Sequence, residues 1–175
     1  MKETVQDILN RRSVKKFKPE QITDEELLTV LKAGMNAPSG GNKQSPVFIA
    51  VQNKEWIARL CKVNAEIAGA PEGWDVFYGA PTVILVLAQK GVGNPVEDGS
   101  LCLGNMFNAA YALGLGSRWI NRIRETFELP IGKELLKEVG YEGEYIGVGS
   151  CILGYPAEGF PEPIKRKPDY YKILK

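Results

Sequence analysis

Two runs of cations carry the most specific chemistry in this sequence: Arg11-Arg12-Ser13-Val14-Lys15 near the N-terminus and Lys165-Arg166-Lys167 near the C-terminus. A phosphate bearing nearly two negative charges is held best by guanidinium forks, supported by a hydroxyl and an ammonium. Arg11, Arg12, Ser13, Lys15, Arg166 and Lys167 are therefore candidate phosphate ligands. A plainer reading stays open, because cations at the end of a helix also complement its dipole. Between the two runs, Pro38-Ser39-Gly40-Gly41-Asn42-Lys43-Gln44 offers a hydroxyl, two carboxamides and free backbone donors. Such a lining suits a ring with alternating donors and acceptors, although ordinary turn chemistry uses the same residues.

Other chemistries are excluded by what the chain lacks. There is no histidine among its 175 residues, which removes His-dependent catalytic triads and His-x-x-x-His metal sites. Cys61, Cys102 and Cys151 form no Cys-x-x-Cys pair and lie in apolar surroundings, so they read as buried thiols of a reducing compartment. Neither a P-loop nor a Gly-x-Gly-x-x-Gly fingerprint occurs, and Gly114-Leu-Gly116 and Gly147-Val-Gly149 read as packing glycines. With 22 Lys and Arg against 21 Asp and Glu, no global field favours nucleic acid or an anionic membrane. The longest apolar run, Val83 to Ala88, is strand-sized, and the N-terminus has no signal-peptide core, which points to a cytoplasmic protein.

The elements that must position these residues follow from periodicity. Val5, Ile8, Leu9 and Arg12 mark one face of a short helix. Thr23 with Glu26 forms a capping box that opens a second helix running to Met35. Val47–Val51 reads as a strand, Trp56 to Val63 as a helix capped by Asn53, and Thr82–Ala88 as a strand buried on both faces. An interior helix is expected from Asp98 to Leu113, a short strand over Gly116–Ile120, a helix over Lys133–Val139 and a strand over Tyr145–Leu153. Composition, 44% hydrophobic and 25% charged, suits one domain over residues 1–175 of α/β or α+β type. The proline-rich tail, 156–175, has no period and is hard to bury on its own domain, so it is expected to lie across a partner subunit or to hang loosely.

The residues also resemble a family. Arg11-Arg-Ser-Val-Lys-Lys-Phe17 is similar to the N-terminal signature of the nitroreductases, and Ala37-Pro-Ser-Gly-Gly-Asn-Lys-Gln-Ser-Pro46 to their Ala-Pro-Ser turn. Ala80-Pro81 before the buried strand, the helix from Asp98 with its Leu-Gly-Leu-Gly ending, and Gly154-Tyr-Pro ahead of the basic tail follow in the same order. The chain departs from the pattern at Ser45 and at Lys15, where arginine is more frequent, and it lacks the longer helical excursion of many relatives.

That resemblance implies an α+β, three-layer fold with a central mixed or mostly antiparallel sheet flanked by helices. It implies a homodimer with FMN between the subunits, and NADH or NADPH as hydride donor to flavin N5. Position by position, Arg11 and Ser13 would hold the phosphate from one end and Arg166 with Lys167 from the other, with Arg12 also at the cofactor. Lys15 would face the pyrimidine edge, where a cation stabilises reduced flavin. Pro38, Ser39, Gly40, Asn42 and Gln44 would come from the partner, while Asn64 would lie at the ring edge or be an exposed helix residue. The backbone at Asn121 and Arg122 would approach N5. The function implied is NAD(P)H oxidoreduction, passing hydride to a nitroaromatic, quinone or similar acceptor by ping-pong kinetics. A flavin-binding sensor or store without efficient turnover is the alternative, and a plain interaction domain a third reading.

Overall fold

A computed structural model describes all residues, Met1–Lys175. Its centre is β2 (Thr82–Gln89), whose seven residues from Thr82 to Ala88 are all buried. Alternation along that strand divides the core: Ile84, Val86 and Ala88 enter one cluster, and Val83, Leu85 and Leu87 the other. A strand apolar on both faces requires helices on both, and the chain supplies them. On one side lie α2 (Asp24–Met35) and α4 (Pro95–Ala112). On the other lie α3 (Lys54–Ala68), α5 (Ile123–Glu128) and α6 (Pro130–Glu138).

Around β2 run β1 (Pro46–Val51), β3 (Gly116–Ile120) and β4 (Tyr145–Gly154), in the order β1-β2-β4-β3. Every pair is antiparallel. The expected three-layer α+β fold is present, with a wholly antiparallel four-stranded sheet. A bulge at Val148, opposite the Val86/Leu87 step, turns that valine onto Gly99 of α4.

Helix boundaries depart from the sequence reading where local caps were misjudged. The interior helix starts at Pro95, at the first helical position, and not at Asp98. Thr23 caps α2 as expected, accepting from the Glu26 backbone while Glu26 accepts from Thr23. Asn53 caps α3, which runs on to Ala68 and ends on left-handed Gly69. The helix α5 was not expected. Gly147 and Gly149 are packing glycines, one under Ile123 and the other under Trp119, but Gly114, at φ 75° in open space, is a turn glycine.

The first helix, α1 (Glu3–Asn10), buries no residue on its own chain. Val5, Ile8 and Leu9 are 43%, 51% and 57% exposed, so the apolar face read from the sequence stays open to solvent.

Candidate functional site

The segment after α1 is laid along the outer edge of β3. Val14 donates its backbone N–H to the Ser117 carbonyl at 3.1 Å, and Ser13 bridges Ser117 in parallel. Val14 is buried, and a Cβ at Gly116 would stand 3.0 Å from three of its carbons, so that glycine sets how closely the segment docks. Alternation then turns Ser13 and Lys15 together toward solvent.

Farther on, the start of the tail is fastened beside the same segment. Lys18 donates to the Tyr155 carbonyl, Ala157 to that of Lys16, and Lys16 pairs with Glu158 at 2.6 Å. Phe160 then meets Tyr111 edge-on at 4.6 Å. Arg166 is thereby returned to the N-terminal cations. Arg11, Ser13, Lys15, Arg118, Phe160 and Arg166 line one cleft of about 690 Å³. Burial, then the charges of Arg12 and Arg166, lower the Arg11 pKa from its ordinary value. Crowded guanidiniums with a free serine hydroxyl between them are a site for a doubly charged anion.

Two sequence expectations change here. Arg12 lines the cleft, but one arm of its guanidinium donates to the Leu9 and Arg11 carbonyls, both at 2.7 Å, so it ties down the end of α1. Lys167 lies outside the cleft lining, fully in the exposed tail.

Past Arg118 a second cavity, of about 380 Å³, is lined by Asn64, Tyr78, Trp119, Asn121 and Arg122 as well as Arg118 itself. Arg122 adopts a left-handed φ of 77°, a strained conformation for arginine, at the start of α5. Asn64 is 1% exposed, contrary to an exposed helix position. Its amide donates to the Leu60 carbonyl and Thr126 Oγ1, joining α3 to α5, while its Oδ1 has no partner.

The turn from Pro38 to Gln44 stands elsewhere, along a cavity lined by Ser39, Gln44, Phe48, Cys102 and Tyr141. Asp98 fixes it by accepting from the Gly40 backbone at 2.9 Å, which is the role of the residue first read as a helix start. Ser39 Oγ accepts from Gln44 N, and the Gln44 side chain donates to Asn42 Oδ1. Asn42 and Gln44 both hold left-handed φ, near 55° and 49°, and Pro38, Asn42 and Gln44 are exposed. A rigid, polar, outward-facing ridge is the result.

A family model for the nitroreductase family matches residues 8–140. The chain belongs to the nitroreductase family. A nitroreductase with bound FMN from Bacteroides fragilis has a TM-score of 0.88 at 29% identity, with both chains covered in full. A second, also with bound FMN, from Desulfitobacterium hafniense, has a TM-score of 0.88 at 26% identity over the whole of both chains. In sequence, the FMN reductase (NAD(P)H) of Bacillus subtilis is 26% identical over 180 residues, covering 90% of this chain and 68% of that protein.

Another cavity, of about 860 Å³ between α3 and the 70–81 loop, holds none of the candidate cofactor-binding residues. Cys61 lines it and is half-buried, not fully buried as expected, with its thiol donating to Asp75 Oδ1 at 3.2 Å. Burial and that contact raise its pKa, and burial with Asp98 nearby pushes Cys102 up to about 11, so neither is an activated thiolate. No three His, Cys, Asp or Glu residues are grouped to hold a metal ion, and no helix is long and apolar enough to cross a membrane. Sequence reasoning missed Arg118, Tyr78 and Phe160. Only Arg118 carried a signal, as a lone cation inside the apolar strand Gly-Ser-Arg-Trp-Ile.

Proposed function

We propose that this chain is an FMN-dependent NAD(P)H oxidoreductase that reduces a small acceptor, such as a nitroaromatic or a quinone, and that it works as a homodimer. The observation that carries the reading is the convergence of Arg11, Ser13 and Arg166, from opposite ends of the chain, on one cleft with a neighbouring cavity beyond it. The residues fit the cofactor. Arg12 Nε and Arg118 Nε, both in side chains that line the cleft, are buried without partners, and of the two carboxylates there Glu158 is paired with Lys16 and Glu162 is exposed, so the cations are in excess.

Arg11, Ser13 and Arg166 hold the phosphate, with Arg12 steadying the loop that presents the first two. Lys15, two residues beyond Ser13 on the same face, places its ammonium toward the ring. FMN supplies the hydride relay between nicotinamide and acceptor, so no histidine is required. Asn121 and the strained backbone of Arg122 wall the second cavity, and Asn64 with Thr126 holds that wall against α3. The ridge of Pro38, Ser39, Gly40, Asn42 and Gln44 completes the ring pocket of a partner subunit, because within one chain it lines a different cavity. Donor and acceptor then use one pocket in turn, and double-reciprocal plots at several acceptor concentrations should be parallel. Three free cysteines suit the reducing cytoplasm.

The decisive experiment is a visible spectrum of the purified protein followed by anaerobic titration with NADH and with NADPH. A yellow protein bleached by either nucleotide is expected. Colourless protein that takes up no added FMN, or a flavin that neither nucleotide reduces, would overturn the assignment.

A further inference from the structure

Arg118, like Arg11, Lys15 and Arg166, makes no ion pair and no side-chain hydrogen bond, but it alone of these four lines both cavities. It lies mid-strand in β3, with its backbone opposite Ile152 of β4. Trp119 packs over Gly149 on the α4 face, so Arg118 projects to the other side, where its guanidinium lies 5.1 Å from the centre of the Tyr78 ring. Its Nε is buried and makes no hydrogen bond. No carboxylate comes within ion-pair distance, whereas Arg122 nearby is neutralised by Glu125 at 3.0 Å. The face of Tyr78 offsets part of the desolvation cost of this charge and does not replace its hydrogen bonds. An unsatisfied, half-buried guanidinium is a receptor for negative charge.

Position narrows which charge that is. Arg118 lines both the phosphate cleft and the second cavity, and is the residue they share along with no other cation. Phosphate charge is the same whether the flavin is oxidised or reduced. The ring differs: taking a hydride, two electrons and one proton, from NAD(P)H, which leaves as NAD(P)⁺, converts a neutral ring into an anion with its charge near N1 and the C2 carbonyl.

Resting on the flavin site assigned above, we propose that Arg118 is a second cation for the ring, beside Lys15, which binds the reduced cofactor more tightly than the oxidised one. It acts as a positioning charge that raises the reduction potential of the bound flavin. A residue that merely held the phosphate or walled the cleft would affect both redox states alike.

The test compares wild type with Arg118→Gln, which is neutral and of similar reach, and Arg118→Lys, which restores the charge. FMN affinity is read by fluorescence quenching and the midpoint potential by dye-coupled anaerobic titration. In Arg118→Gln the ratio of oxidised to reduced dissociation constants should fall about tenfold, a shift of about 30 mV to more negative potential for a two-electron couple. Arg118→Lys should recover most of it. Should Arg118→Gln fail to fold, Arg118→Met fills the same slot and is read in the same way. A potential unmoved in the neutral variant, with wild type binding FMN normally, would overturn this assignment alone. Wild-type protein that takes up no FMN would overturn the site as well.

Discussion

The cations of the site differ in how far they are already engaged within the chain, and the free ones should cost most when lost. Arg11 is half-buried against Phe107, 5.9 Å from its ring centre, and makes no ion pair within the chain. Its whole fork is free for an anion, and a charge-assisted hydrogen-bonded contact is worth about 1.5–3 kcal/mol. Arg11→Ala and Arg166→Ala should therefore each weaken FMN binding roughly tenfold to a hundredfold by fluorescence titration, since about 1.4 kcal/mol is one decade. Full flavin retention in both would show that the phosphate is held elsewhere. The cation runs were legible in the sequence because a phosphate site leaves a local mark on composition. What was not legible is which members are free: Arg12 folds back on its own helix and Lys167 misses the cleft, and both outcomes depend on the path of the chain in space. Asn64 reads as a surface residue by type, and it is buried because Thr126, 62 positions away, offers it a partner.

At the scale of the element, the wall of the second cavity hangs on one close approach. In β4, Gly147 lies directly under the start of α5, where a Cβ would overlap the Ile123 carbonyl and crowd the Arg124 amide. Both obstacles are backbone, so neither can swing aside. Gly147→Ala should cost about 1–3 kcal/mol, seen as a Tm lower by roughly 3–10 °C, and should push α5 outward together with the Asn121–Arg122 corner that precedes it. Weaker FMN binding should accompany the lower Tm. An alanine variant with wild-type Tm would mean that the strand and helix stand farther apart than described. The same corner explains why α5 escaped the sequence reading. Its six residues follow an arginine in a left-handed conformation with no side-chain cap, and such a start leaves no mark that separates it from a loop. Long elements with their own periodicity or caps, such as α2, α3 and β2, were legible because the information lies within the segment.

For the molecule as a whole, the question is what covers the apolar surface one subunit leaves open. The face of α1 bearing Val5, Ile8 and Leu9 is joined in exposure by Leu101 of α4, by Leu113 just past its end, and by Ile164, Tyr170, Tyr171, Ile173 and Leu174 of the tail. Isolated exposed apolar side chains are ordinary, but a whole helix face together with five apolar side chains of the basic tail is the kind of surface a partner covers. The polar ridge from Pro38 to Gln44 adds an independent argument, because it is rigid, outward-facing and built of residues that suit a flavin ring, yet it lies along a different cavity from Arg11. The proposed homodimer would answer both observations at once: a second copy would cover the apolar face and bring its ridge to the open side of the cleft. Oligomeric state and cofactor affinity should therefore be linked. Replacing Ile8 and Leu9 together by glutamate places two charges in the proposed interface without touching any residue of the cleft, and neither side chain is buried within its own subunit, so the fold should survive. Sedimentation should show a dimer shifting to monomer, and FMN affinity should drop with it, becoming dependent on protein concentration. A monomeric variant that keeps FMN at wild-type affinity would mean that each subunit builds its flavin site alone, and the ridge would then need another purpose.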